Sequence, residues 1–142
     1  MSDKKKVVVV DDHPLFRQRL TQLLSYEPDI EVVGEADNTT DAIELISNTL
    51  PNLAIVDISL KGSSGLELIK RIEPRTIGVH VLVLSMHKES LYGDRAIRAG
   101  ATGYITKNRP AEEILLAVRR VLSGELYFSG HATSGIVNSL CS

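Results

Sequence analysis

Residues Leu53 to Leu60 read LAIVDISL: four apolar residues, then an aspartate at position 57 where a buried strand should end. A continuous apolar run of roughly four to eight residues between polar ones fits a strand buried on both faces, as in a parallel sheet. The same shape recurs in VVVVDD, from Val7 to Asp12, and in VLVLS, from Val81 to Ser85. One aspartate after a strand is an ordinary turn residue. Three strands that each deliver a polar group at the same end outline a site.

Between and beyond these runs lie stretches of helical period. Strands are expected at Val7 to Val10, Glu31 to Glu35, Leu53 to Val56, Val81 to Leu84 and Gly103 to Thr106. The first helix has Pro14 near its start and Phe16, Leu20, Leu23 and Leu24 on one face. The second begins near Thr39 or Thr40 with Ala42, Leu45 and Ile46 inward. The third carries Leu66, Ile69 and Ile72, and the fourth Ala96 and Ile97. The fifth carries Ile114, Ala117, Val118, Val121 and Leu122, between a start signal at Pro110 and a stop at Gly124. Leu15, with Phe16, Ile114 and Val118, is read as core rather than as a surface where the first and fifth helices pair with a partner. Five strand and helix units with short connections predict an α/β fold, a doubly wound five-stranded parallel sheet of flavodoxin-like order 2-1-3-4-5. In that order the first and third strands are neighbours at the switch point, and Asp11, Asp12 and Asp57 converge in the crevice outside their carboxyl ends.

Composition narrows the classes of function. At 142 residues and 43% hydrophobic the chain makes one domain with one core. Sixteen Lys and Arg against eighteen Asp and Glu give a net charge of −2, so no broad basic field is present to hold nucleic-acid phosphates. The single cysteine, Cys141, has no partner for an internal disulfide, which fits a reducing compartment. No apolar stretch approaches the roughly 18 residues needed to span a bilayer. KKKVVVV imitates a signal peptide but runs into Asp11 and Asp12 after too short an apolar run, and Lys4 to Lys6 are read as a solvated start. The expected location is cytoplasmic, with no membrane partner.

Three carboxylates at one crevice need a counter-charge, because two of them about 4 Å apart repel by roughly 4 kcal/mol at an effective dielectric near 20. Oxygen ligands without clustered histidines or cysteines suit a hard divalent ion such as Mg²⁺. Lys107, directly after the fifth strand, is the other cation within reach, and Ser85 at the end of the fourth adds a hydroxyl. A metal, an ammonium and a hydroxyl around a carboxylate match the oxygens of a phosphoryl group in transfer, and the carboxylate itself can be the nucleophile.

On these residues the chain resembles the receiver domains of bacterial two-component response regulators, which have the CheY-like (βα)5 fold. The resemblance covers about Lys5 to Gly124. It rests on DD at 11 and 12, IVDISLKGSSGLEL around Asp57, LSMH at 84 to 87 and AGATGYITK from Ala99 to Lys107. DDHPLFRQRL together with AGATGYITK is similar to the LuxR/FixJ (NarL-like) subgroup. The resemblance implies that Asp57 accepts a phosphoryl group from a phosphohistidine of a sensor histidine kinase. It implies Mg²⁺ held by Asp12, supported by Asp11, with Asp57 and the backbone carbonyl of Ser59. It implies further that Lys107 would pair with the phosphoryl oxygens, that Ser85 would move to bond them, and that Tyr104 corresponds to the aromatic switch that turns inward when Ser85 moves. Met86 and His87 are placed to tune access. The chain departs from the family at Lys61, where proline is frequent, and at Asn108, where Lys-Pro is frequent.

Other readings of the same residues are weaker. Tyr104 also reads as a half-buried aromatic on an edge strand. His13 and His87 flank the crevice and are read as tuning access rather than binding metal. Gly100 and Gly103 read as turn glycines before the fifth strand, and Gly62 and Gly65 as turn glycines after the acceptor. A Mg²⁺ phosphatase of the haloacid dehalogenase type needs a second aspartate two residues after the nucleophile, where this chain has Ser59. A nucleotide or flavin binder needs a Gly-rich loop after the first strand, where DDHPLF would repel phosphate. A constitutive, phosphorylation-independent interaction module needs a broken site, and the residues are intact. The expected organisation is a receiver domain over 1–124, then a linker or short C-terminal helix over 125–142 containing Ile136, Val137 and Leu140. A helix-turn-helix that would contact DNA is expected to be absent from this chain, and phosphorylation is expected to drive homodimerisation.

Overall fold

The computed structural model describes residues 3–60 and 62–128. Lys61, Ile136, Val137, Leu140 and Cys141 lie outside the described residues. Five strands form one parallel sheet: β1 (Lys5–Val10), β2 (Ile30–Ala36), β3 (Leu53–Val56), β4 (His80–Ser85) and β5 (Gly103–Thr106). β1 pairs with β2 and β3, β3 with β4, and β4 with β5, giving the expected order 2-1-3-4-5. Three strands run a residue or two past the apolar runs that predicted them. Lys5 and Lys6 are exposed yet sit opposite Ile30 and Glu31, because a strand's end needs only backbone partners. At the other end of the sheet, Ser85 closes β4 opposite Thr106.

Alternate residues of the central strands face opposite layers. Val8, Val10, Ala54, Val56, Val81 and Val83 pack on one side with α2 (Thr39–Thr49), α3 (Gly65–Ile72) and α4 (Glu89–Ala99). Val7, Val9, Leu53, Ile55, Leu82 and Leu84 pack on the other with α1 (Pro14–Ser25) and α5 (Ala111–Leu122). Both faces of the sheet are therefore covered, which is why β3 and the inner parts of β1 and β4 read as unbroken apolar runs, whereas the edge strand β2 is only partly buried.

Two helical positions differ from expectation. Leu15 is 77% exposed, because α1 turns Leu20 and Leu24 inward and residue 15 falls on the outer side. Ile97 is only half-buried; α4 packs instead through the small residues Gly93, Ala96 and Ala99. A two-residue hairpin, Ser59–Leu60 against Ser63–Ser64, and a single helical turn at Pro74–Ile77 have no periodic signal of their own.

After α5 the chain turns back along the sheet. The amide of Gly124, which has φ +88°, bonds the carbonyl of Val121, and the amide of Glu125 bonds that of Arg120. These two bonds close the helix in a Schellman motif. Tyr127 then lies beside β5, accepting from the Tyr104 amide at 2.8 Å and donating to the Thr102 carbonyl at 3.1 Å. Gly103 makes this approach possible: a Cβ there would stand 2.9 Å from Val121 Cγ2 and 3.1 Å from the Tyr127 carbonyl oxygen. Its role is close packing rather than a turn. On α5's outer side Arg119 bonds Glu27 and, at 2.9 Å, Asp29. That hydrogen bond from Arg119 holds the Asp29 carboxyl below the ordinary carboxylate range.

Candidate phosphoryl and metal site

The carboxyl ends of β1 and β3 bring Asp11, Asp12 and Asp57 together. Asp57 follows β3, with its amide bonded to the Val10 carbonyl at 2.9 Å, and its side chain is 2% exposed. Lys107, one residue past β5, is anchored by its amide on the Ser85 carbonyl at 2.7 Å. Its ammonium, 3% exposed, lies 2.7 Å from Asp11 Oδ2 and 2.9 Å from Asp57 Oδ2. The other Asp57 oxygen accepts from the Ser59 amide at 3.1 Å.

One buried ammonium bonds two of the three carboxylates and leaves an excess of negative charge in the crevice. Arg17 approaches the main-chain oxygen of Asp11 at 2.5 Å, but its guanidinium is paired with Glu35. Asp12 Oδ1 is buried and makes no hydrogen bond, which is costly for an oxygen that carries charge. One donor atom from each of Asp11, Asp12, His13 and Asp57 lies within 4.8 Å of the others. This set of oxygens fits a divalent cation, whose charge would compensate the excess.

Ser85, fully buried, accepts from the His87 amide at 3.0 Å. Tyr104 is 1% exposed, which corrects the half-buried edge reading. Its hydroxyl donates to the His87 carbonyl at 2.8 Å. Burial pushes the Tyr104 hydroxyl up to about 12. The His87 ring reaches across the crevice to the Ser59 hydroxyl at 3.3 Å and rests edge-on against Tyr92. Met86 lies 68% exposed and lines a groove with Tyr104, Asn108 and Phe128.

Several contributors carry no signal in the sequence. Phe16, expected as core, is half-buried with its ring 4.6 Å from the Lys107 ammonium, a cation–π contact that helps hold the lysine. Thr39 and Ser63 hydrogen-bond each other and tie the start of α2 to the hairpin beside the acceptor loop. Gly65 is not a turn glycine: a Cβ there would come within 2.0 Å of the Asp57 carbonyl oxygen. Only the absent side chain lets α3 start so close to β3. Gly62, by contrast, has φ +71°.

A parallel sheet of this order, with acidic residues and a lysine at its carboxyl edge, defines a receiver-type signalling domain. The response regulator receiver domain pattern matches residues 7–119. The chain is 36% identical over 133 residues to the Fimbriae Z protein of Salmonella typhimurium, covering 94% of this chain and 63% of that one. It is 34% identical over 136 residues to the nitrate/nitrite response regulator protein NarL of Escherichia coli, covering 94% and 62%. The signal receiver domain of the putative response regulator NarL from Mycobacterium tuberculosis superposes with a TM-score of 0.80 at 36% identity, covering 86% and 98%. The chain belongs to the response regulator receiver domain family, in its NarL/LuxR-like branch, and its role is that of a phosphoacceptor in two-component signalling. It spans about six-tenths of the length of the curated relatives it matches. No helix among the described residues is long and apolar enough to cross a membrane.

Proposed function

We propose that Asp57 is the phosphoacceptor and that the site works with Mg²⁺ held by Asp11, Asp12, Asp57 and the main-chain carbonyl of Ser59. An Asp57 oxygen attacks the phosphorus of a kinase phosphohistidine. The P–N bond breaks, its electron pair returns to the imidazole nitrogen, and an acyl phosphate forms. Bound Mg²⁺ supplies positive charge to the carboxylates and to the phosphoryl oxygens. Lys107, already 2.9 Å from Asp57, pairs with an incoming oxygen without having to travel. Ser85 exchanges its bond from the His87 amide for one to the phosphoryl group. Because the Tyr104 hydroxyl bonds the carbonyl of that same residue, movement at residues 85–87 is felt at Tyr104 and along β5.

The domain, taken as residues 1–124, acts as a signalling switch rather than a turnover enzyme. In the cytoplasm it would be paired with a sensor histidine kinase and would control self-association and, through a helix-turn-helix beyond this chain, DNA binding and transcription. The observation that supports this most strongly is the Lys107 ammonium shared between Asp11 and Asp57 beside an unbonded Asp12 oxygen. Intact mass after incubation with acetyl phosphate tests it. One added phosphoryl group is expected with Mg²⁺, and none with EDTA or in Asp57→Asn. An adduct that forms equally in EDTA would overturn the metal-dependent reading.

A further inference from the structure

Phe16 stands where α1 meets the lysine. It is the third residue of α1, after Pro14, which presets the backbone of the first turn. The Arg17 side chain, 2.5 Å from the Asp11 main-chain oxygen, ties that turn to the end of β1. Held in this way, the Phe16 ring offers its face to the Lys107 ammonium, with Nζ 4.6 Å from the ring centroid. Phe16 and Lys107 also line one groove of about 360 Å³ between α1 and α5, together with Leu20, Leu23 and Ile114.

The other neighbours of the ammonium are polar. Nζ lies 2.7 Å from Asp11 Oδ2, 2.9 Å from Asp57 Oδ2 and 3.1 Å from His13 Nδ1, three partners for its three N–H donors. When a phosphoryl group joins Asp57, the bond to the Asp57 oxygen passes to a phosphoryl oxygen. A lysine stem is a flexible four-carbon chain, so a change of hydrogen-bond partner can also change where the charge rests. The attraction of the ring is of another kind. It comes from the negative face of the π-system and is the same whichever oxygen the ammonium bonds. It is also at its strongest for a desolvated cation, and Lys107 is 3% exposed. Charge already in place beside the reacting atoms, rather than charge that has to move there, is what favours transfer.

We propose that Phe16 is a positioning residue for phosphoryl transfer. Its ring face holds the Lys107 ammonium at the acceptor while the ammonium exchanges the Asp57 oxygen for a phosphoryl oxygen. The inference rests on the reading of Asp57 as phosphoacceptor and adds to it a residue that acts only through the lysine. A packing role alone, as the first member of the apolar stripe that continues at Leu20 and Leu23, would depend on the size of the side chain and not on its π-system.

Replacing the ring's electrons without replacing its shape separates the two. The phosphorylation rate is read by intact mass over time in acetyl phosphate and saturating Mg²⁺, for the wild type, Phe16→Leu, Phe16→Tyr and Phe16→pentafluorophenylalanine, with urea denaturation to show that each is folded. Fluorination keeps the ring but removes its negative face. Phe16→pentafluorophenylalanine and Phe16→Leu are expected to slow phosphorylation at least about fivefold, the scale of losing one desolvated cation–π contact. Phe16→Tyr keeps the face and is expected to stay within about twofold of the wild type. On a Lys107→Ala background the fluorinated ring should cost nothing further, because the partner it acts through is gone. A fluorinated chain that phosphorylates at the wild-type rate, or one that loses as much on the Lys107→Ala background, would overturn the inference and leave the phosphoacceptor reading standing. A wild type that takes up no phosphoryl group with Mg²⁺ would remove both.

Discussion

At the scale of single residues, the crevice keeps charges close together that a protein built only for stability would separate. Asp12 contributes an unbonded buried oxygen beside Asp11 and Asp57. Asp12→Asn should therefore raise the unfolding free energy in EDTA by about 1 kcal/mol, by removing like-charge repulsion. The same change should abolish stabilisation by Mg²⁺, which at about 100 times its dissociation constant should add about 2.7 kcal/mol to the unmodified chain. Urea denaturation with and without Mg²⁺ measures both. Tyr104 gives a second prediction. Its folded hydroxyl titrates near 12 against an ordinary 10, so its share of stability is complete below pH 10 and lost as pH rises through about 12. Absorbance titration of tyrosinate should show a component near pH 12 that Tyr104→Phe removes. The carboxylates, Ser85 and Lys107 were legible in the sequence because each follows an apolar run. The contact of Phe16 with Lys107 was not, since it depends on how the start of α1 meets the pocket.

At the scale of elements, periodicity located the five strands of the sheet and the five long helices among the described residues, and the record is clearest where a strand is buried on both faces, as in β3 and β4. What it missed depends on rotation or close approach. Leu15 is exposed because of α1's rotation, and α4 packs through Gly93, Ala96 and Ala99, which leave little hydrophobic signal. The hairpin at residues 59–64 is held by loop contacts, among them Thr39 with Ser63. Gly103 shows how closely the segment after α5 is fitted to β5. Gly103→Val should destabilise the fold by about 2 kcal/mol through overpacking against Val121, Leu82 and the Tyr127 carbonyl. Hydrogen exchange should locate the damage, with the amides of Tyr104 and Tyr127 losing protection first, since each donates across this junction.

At the scale of the whole molecule, one carboxyl edge collects Asp57, the acidic pair Asp11 and Asp12 and the Lys107 ammonium, while Tyr104 on β5 is bonded to the residues that follow Ser85. The doubly wound sheet makes this arrangement possible by putting β1 and β3 side by side and β4 and β5 next in order. The claim on which all the rest depends is that the phosphoryl group resides on Asp57. Borohydride reduction of the acetyl phosphate-treated chain, followed by peptide mass spectrometry, tests it directly, because an aspartyl phosphate is reduced to homoserine. Homoserine is expected at position 57 alone, and only when Mg²⁺ was present. Homoserine at position 11 or 12, or a phosphorylated chain with position 57 unreduced, would contradict it.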